Sequence, residues 1–329
     1  MRYVVNIVLF ICSILLSLML GDSFVQPLEV IKALFQQSDD YTNLIINTLR
    51  LPRVLLAVMT GAALGIAGCL LQRVTKNDLA SPDVIGISQG AVVGSLFFLV
   101  VLTSQSERLL FPIAYQSVAS MLGAIIVTWL LYHFALKGAF KKERLILMGI
   151  CLNIFFHGMT MFLIMSSSKR SAQAQIWITG SVHLADYLQV IVLCIAVIIT
   201  LIIIAYFTKH LDIHQMGKYA SNGLGLNYYS ITLMALLFVS ILTGLSMSFV
   251  GGIQFVGLIA PHIASRMRTQ SFIGRISMSG LIGSIIVLLS DLLGRTLFLP
   301  VEVPAGVFTA LIGAPFFIYL LFYRRVRKA

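Results

Sequence analysis

The side chains able to make or break bonds are few and poorly placed for it. Six histidines, at 133, 157, 183, 210, 214 and 262, are scattered over 329 residues. Only His210 and His214 stand four apart, which would put two imidazoles on one helix face as in a metal pair. Asp212 is the sole carboxylate beside them, so they read instead as solvated loop histidines. Cys12, Cys69, Cys151 and Cys194 each lie inside an apolar run without a C-x-x-C pair, which indicates neither zinc nor a disulfide framework. They read as small buried hydrophobes. No G-x-x-x-x-G-K-[ST], H-E-x-x-H or G-x-S-x-G occurs, so phosphate-loop, zinc-protease and serine-hydrolase chemistry lack their parts. No chain of acids runs through the apolar segments, as a proton relay requires. The expectation is no catalytic residue, no metal site and no cofactor.

What remains are cations, turn formers and small residues in unusual places. Arg50 and Arg53 flank Leu51-Pro52, and Arg295 follows Asp291 by four residues. Such guanidinium groups snorkel to lipid headgroups or dock an acidic partner, and Arg295 could instead pair with Asp291 or Glu302. The residues alone leave these readings open. Residues 77–83, Asn-Asp-Leu-Ala-Ser-Pro-Asp, concentrate turn formers ahead of Gly86-Ile87-Ser88-Gln89-Gly90, as a structured turn or a constriction would. Gly61, Gly65 and Gly68, with Ala62, Ala63 and Ala67 between them, and Gly280 with Gly283, let helix backbones approach closely.

The elements that carry these residues must span a membrane. Hydrophobic residues make up 59% of the chain and charged residues 11%, with mean hydropathy +0.97, against about 25% charged in a soluble domain. That excludes a cytosolic enzyme and a disordered chain. The +11 net charge is spread too thinly for a nucleic-acid binder and fits the inside bias of a polytopic membrane protein. Ten apolar elements follow: Tyr3–Leu20, Val54–Gln72, Ile85–Thr103, Pro112–Leu136, Leu145–Met165, Asp186–Thr208, Ser230–Val250, a short Ile253–Ala260, Arg275–Leu299 and Ala305–Tyr323. They are too long and continuous for barrel strands. The run after Arg2 lacks a small-x-small cleavage site, so it reads as an uncleaved first helix. Ile253–Ala260, between Gly251-Gly252 and Pro261, would reach only about 12 Å as a helix. Broken backbone at membrane depth survives only inside protein or beside a water-filled cavity, so the bundle should enclose something.

Placing the N-terminus inside puts sixteen Lys and Arg on inside segments and seven on outside ones. With the acids the inside carries +12 and the outside −1, which predicts both termini cytoplasmic. Arg50, Arg53 and Arg295 break that bias. The longest inside loop, 209–229, is polar with short helix-like pieces, so it is either a solvated connector or a docking element.

The chain resembles the FecCD-type permeases of bacterial ABC importers for iron-siderophores, haem and cobalamin. The resemblance runs through nearly the whole chain in four ordered blocks. These are Leu51-Pro52-Arg53 with Gly61 to Leu64, Gly68, Gln72, Asn77 to Pro82 and Gly86; Trp177 with Gly180-Ser181; Gly257 to His262; and Asp291 and Arg295 with Glu302 to Gly306, Thr309 and Gly313-Ala314-Pro315. It implies an all-α polytopic membrane protein of type II importer architecture, with ten helices of which the eighth is short, in one domain over residues 1–329. It implies the bacterial cytoplasmic membrane. The implied partners are a second permease subunit (a copy or a paralogue), two cytoplasmic ATP-binding subunits, an extracytoplasmic substrate-binding protein and membrane lipid, with no nucleic acid.

For single residues the resemblance implies that Arg50, Arg53 and Arg295 receive acidic residues of the binding protein and that Asn77 and Leu79 form the cytoplasmic gate. It assigns residues 209–229 to ATPase coupling, with Met216, Gly217, Lys218, Ala220, Leu224 and Gly225 as its contact residues. The fifth span is expected to line the pathway, with Asn153, His157 and Thr160 either facing it or bonding between helices. Two positions depart from the family pattern. Asp78 stands where the family usually has Pro, and Lys218 where its Leu-Gly-Glu has an acid. The expected cargo is a ferric siderophore. Haem, cobalamin, and a stand-alone channel or ion-driven carrier are the alternatives.

Overall fold

A computed structural model describes residues 2–102, 110–136, 142–166, 177–183, 185–267 and 271–326. Of the charges counted above, Glu107, Arg108, Lys137, Lys141, Lys169, Arg170, Arg268, Arg327 and Lys328 lie outside the described residues, as does Thr103 at the end of the third expected span. Among the described residues the chain is helical, with no strand. Its helices are α1 (Arg2–Met19), α2 (Pro27–Leu34), α3 (Asp40–Thr75), α4 (Ile87–Val101), α5 (Tyr115–Leu131), α6 (Lys142–Ser166), α7 (Tyr187–Tyr206), α8 (Thr208–Gln215), α9 (Lys218–Gly223), α10 (Tyr228–Val250), α11 (Val256–Ser265), α12 (Phe272–Thr296) and α13 (Ala305–Val326). Six of these are long and apolar enough to cross a membrane: α3, α5, α6, α7, α10 and α12. Four shorter apolar helices accompany them: α1, α4, α11 and α13.

α3 is the axis of the bundle. In its most apolar stretch 83% of residues are buried, against 28% for α6 and α7. It packs on α7, α10, α11 and α12. Small residues decide how closely. A Cβ on Gly65 would stand 2.2 Å from Ser279 O, and one on Gly61 2.3 Å from Gly283 O, so α3 and α12 touch backbone to backbone, the contact expected of this stripe. Ser284 Oγ adds a hydrogen bond across the same crossing, 2.7 Å to Val58 O.

Three expectations are corrected. The second span begins at Asp40 rather than Val54, through a π-helical turn at Ile45–Arg50, and α2 precedes it. Polar residues between 36 and 43 masked that continuity. The eighth element runs Val256–Ser265 and passes through Pro261 instead of ending before it. Proline cannot donate to the carbonyl four residues back, that of Gly257. The Gly257 carbonyl instead faces α3, where a Cβ on Gly68 would stand 1.8 Å from its oxygen. The cysteines are not all buried. Cys69 is, but Cys12 and Cys151 lie on exposed faces of α1 and α6, because an apolar position in a spanning helix need not face protein.

Candidate functional site

Polar side chains collect at three levels of the bundle. At one end, Asp291 on α12 is 1% exposed and gathers two arginines. Arg53 donates to its carboxylate at 2.9–3.1 Å, and Arg295 Nε stands 3.7 Å away. Arg53 also reaches Glu302 at 3.1 Å, and His183 Nδ1 lies 2.9 Å from the same carboxylate. Burial pushes the Glu302 carboxyl up, but the bonds and charge of Arg53, with His183, outweigh it and hold it below the usual range. Arg50 and Arg295 are 6% and 5% exposed. Arg50 donates to the carbonyls of Leu18 (2.7 Å), Met19 (3.1 Å) and Ser23 (2.5 Å), satisfying the bare C-terminal end of α1. Arg295 bonds Ser17 O and, at 2.8 Å, Ser17 Oγ. Of the three arginines assigned to docking, Arg53 is the least buried, its side chain 12% exposed and its Nη1 bonded to Glu302 beside the exposed His183. The other two face inward and tie α1 to α3 and α12.

The second level lies deeper. After α3, Lys76 turns left-handed (φ 50°) and Asn77 Oδ1 accepts from Leu79 N–H at 3.1 Å. The chain then folds back into the bundle. Pro82 meets Gly257, and Gly257 meets Gly68, about 10 Å inside the end of α3 at 1.5 Å per residue. There Asp83 joins three elements. Its carboxylate accepts from Ser88 Oγ (2.6 Å) and from Phe255 N–H (3.0 Å) at the start of α11, and its carbonyl accepts from Asn153 Nδ2 on α6. Asp83, Ser88, Gln89, Asn153 and Gln254 line a cavity of about 70 Å³. Its far wall is a knot of irregular backbone: Gly252 N–H to Trp177 O (2.8 Å), Ser181 N–H to Val250 O (2.7 Å) and Gly306 N–H to Gly180 O (2.9 Å). The segment that leads into the short eighth helix thus borders a small polar space through Gly252 and Gln254.

The third level is the other end. α8 and α9 sit on α10 beyond the end of α3. His214, expected in solvent, is fully buried. Its ring stacks on Tyr228 (4.0 Å, 8°) and Nε2 lies 2.8 Å from Thr232 Oγ1. Burial, with the charges of Lys76 and Arg73, pushes its pKa down to about 4, so the packed ring is neutral. Asp212 pairs with Arg73, which lies 4.0 Å over the Phe272 ring. Met216, Tyr219 and Leu224 are 70%, 93% and 61% exposed. Gly217 (φ 106°) and Gly225 (φ 79°) make the turns that aim them outward. Lys218 Nζ lies 4.9 Å from the Tyr229 ring centre, and that partner holds its pKa up. Ala220 is half-buried.

Of the lining candidates, Asn153 reaches the cavity, His157 lies on the exposed face of α6, and Thr160 is buried with its hydroxyl donating to Phe156 O at 3.1 Å within its own helix. Asp83 carries the deeper site. Its only sequence signal was an acid between Pro82 and an apolar run with serine five residues on. Among the described residues no three His, Cys, Asp or Glu side chains converge as a metal site.

The sequence model of the FecCD transport family matches residues 9–323. The chain is 38% identical over 313 residues to the probable siderophore transport system permease protein YfhA of Bacillus subtilis, covering 95% of this chain and 91% of that one. It is 34% identical to the achromobactin transport system permease protein CbrC of Dickeya dadantii, covering 98% and 92%. A solved metal-chelate type ABC transporter in an inward-facing conformation superposes with TM-score 0.82 at 23% identity, covering 97% of each chain. At that identity it speaks for the fold alone.

Proposed function

This chain belongs to the FecCD transport family, and from that premise we propose that it is the permease subunit of an ATP-driven importer that moves a ferric-siderophore chelate into the cytoplasm by alternating access. A permease of this kind performs no covalent step on its cargo, and ATP is hydrolysed by separate subunits. The observation that carries translocation is the polar cavity at depth, closed by two irregular segments in a bundle of spanning helices. The cargo class follows the names of its relatives, siderophore and achromobactin permeases.

In this reading the six long and four shorter apolar helices are ten spans of a type II permease. The termini are cytoplasmic, the Asp291 cluster faces outward, and two such subunits (copies or paralogues) flank the pathway in the bacterial inner membrane. A substrate-binding protein presents the loaded chelate at the outer end, where Arg53 makes the charged contact. Arg50 and Arg295 support it by tying the C-terminal end of α1 to α3 and α12. Two ATP-binding subunits bind residues 216–225, and their closure tilts the helices as rigid bodies. Asn77 and Leu79 form the inner constriction, and Asn153 lines the pathway above it. Uptake of radiolabelled ferric siderophore in a strain lacking this gene tests the whole. Restoration by the gene, dependent on an intact ATPase subunit, is expected. Restoration of haem or cobalamin uptake alone, or uptake in vesicles without an ATPase, would refute the chelate or the ATP-driven reading.

A further inference from the structure

α4 packs on α5 and α6, whereas α11 packs on α3 and α12, and α10 packs on members of both sets. At the depth of the polar cavity a single residue bonds to both. Asp83 Oδ1 accepts from Ser88 Oγ, in the first turn of α4, at 2.6 Å, and the Asp83 carbonyl accepts from Asn153 Nδ2 on α6. Asp83 Oδ2 accepts at 3.0 Å from the N–H of Phe255, the residue before α11. The segment that carries Asp83 is wedged between the same elements. A Cβ on Gly257 of α11 would stand 3.0 Å from Pro82, and one on Gly86 2.9 Å from Asn153 N of α6. Left-handed residues bound the segment, Lys76 (φ 50°) and Gly86 (φ 84°), and Phe255 is left-handed too (φ 65°). A bulky residue such as Phe255 holds that conformation only where its surroundings fix it.

Hydrogen bonds tolerate little stretch, so a tilt of the α4–α6 set against α11 cannot keep all three bonds at Asp83. The bonds can also be given up. Both donors to the carboxylate are neutral, and Asp83 is half-buried on the cavity wall, so water can replace them without stranding a buried charge. We infer that Asp83 is a positioning residue of the transport cycle. It latches the α4–α6 set to the start of α11 and holds residues 77–85 across the inner end of the pathway. Release of the Phe255 bond opens that end. The inference rests on the importer reading, in which Asn77 and Leu79 of this segment form the inner constriction.

The test uses the full-length chain in membrane vesicles, with its four cysteines changed to serine and Gln89→Cys on the cavity wall as reporter. The rate of labelling by a membrane-impermeant maleimide is read in inverted and in right-side-out vesicles. Asp83→Ala should raise the rate in inverted vesicles by about tenfold or more, the worth of one hydrogen bond to a carboxylate. Asp83→Asn can still accept from Phe255 N–H and donate to Ser88 Oγ, so it should stay within about threefold of the native rate. Ser88→Ala, which removes one of the carboxylate's two bonds, should give a smaller rise than Asp83→Ala. Ser284→Ala deletes a bond of the same kind at the α3–α12 crossing. It should lower the unfolding temperature and leave labelling unchanged, which separates a latch from general loosening. No rise in folded Asp83→Ala, an equal rise in Ser284→Ala, or a rise confined to right-side-out vesicles overturns the proposal. If Asp83→Ala does not fold, Ser88→Ala decides, and a native rate there overturns it. Labelling involves no cargo, binding protein or ATP-binding subunit, so failure here is distinct from failure of the importer reading.

Discussion

Asp291 and Arg53 show how a buried pair can serve a surface. Two buried charges lose hydration, and only close hydrogen bonding offsets that loss. Asp291, with Arg53 at 2.9 Å and Arg295 at 3.7 Å, is the shared counter-charge of two arginines. Asp291→Asn should therefore cost about 3–5 kcal/mol, the penalty for stranding a buried charge. Glu302→Gln, at the wetter edge of the cluster, should cost under about 1 kcal/mol. Thermal unfolding of the purified variants checks both. The double variant Arg53→Gln/Asp291→Asn removes both partners and should be milder than Asp291→Asn alone, yet it deletes the surface cation. Its association with the substrate-binding protein should fall, and the difference from the native chain should be larger at low salt. Normal association in a folded double variant would exclude Arg53 from docking. At this scale the sequence was legible as far as residue type. The arginines that break the charge bias were visible in the chain, and pairing with Asp291 or Glu302 was expected of Arg295, whereas Arg53 makes the closer bonds to both. Burial of Arg50 and Arg295 was not, because their partners are carbonyls of α1 and backbone acceptors leave no mark in composition.

At the scale of elements, the α3–α12 crossing sets the spacing of the bundle through missing side chains. Gly65→Val would place Cβ 2.2 Å from the Ser279 carbonyl oxygen, and only backbone could give way. Overpacking of this kind costs about 1–3 kcal/mol or more. A fall in unfolding temperature and in folded yield is expected. Gly158→Ala on α6, which would meet nothing within 4 Å, is the control and should not destabilise, with a gain of up to about 1 kcal/mol from helix propensity. The glycine stripe was readable because spacing on a helix is local information. The fold-back of residues 76–86 was not, since hydropathy sees an inside loop where Asp83 and Asn153 hold one at depth. His214 was misread for a related reason: a polar loop can bury one ring against its own helix. Its pKa near 4 lies below the value of about 6.5 in the unfolded chain. Between those values the unfolded state binds more protons, so stability is full above about pH 6.5 and falls as the pH drops toward 4. Unfolding temperature measured from pH 7.5 to 4 should follow that fall. His214→Phe, which keeps the stacked ring on Tyr228, should flatten the slope; an unchanged slope would place the titrating group elsewhere.

Over the whole molecule, the proposed reading gives the two polar ends different partners, and the small polar cavity lies between them. That arrangement suits alternating access, because neither end touches the other and coupling must pass through rigid helices. α3 connects them directly: Arg53 lies in its first half, and Arg73 near its end pairs with Asp212 of α8. At the end proposed for coupling, Met216, Tyr219 and Leu224 are exposed apolar side chains on the α8–α9 segment, between the spanning helices α7 and α10 in the chain. Exposed apolar groups carried on tight turns have the character of interface anchors, each worth about 2 kcal/mol or more when lost from a packed contact. Met216→Glu with Leu224→Glu should thus weaken copurification of the ATP-binding subunits by well over about thirtyfold, the equivalent of about 2 kcal/mol. Unfolding temperature should hold, since neither side chain packs inside the subunit. Lys218→Glu asks a separate question of the same surface. It restores the acid of the family pattern, and if the ATP-binding subunits of this system carry acids opposite Lys218, it should reduce ATP-dependent uptake rather than raise it. Retained ATPase copurification and uptake in the Met216/Leu224 double variant would move the coupling surface away from residues 216–225 and leave the exposed trio without a partner on that face.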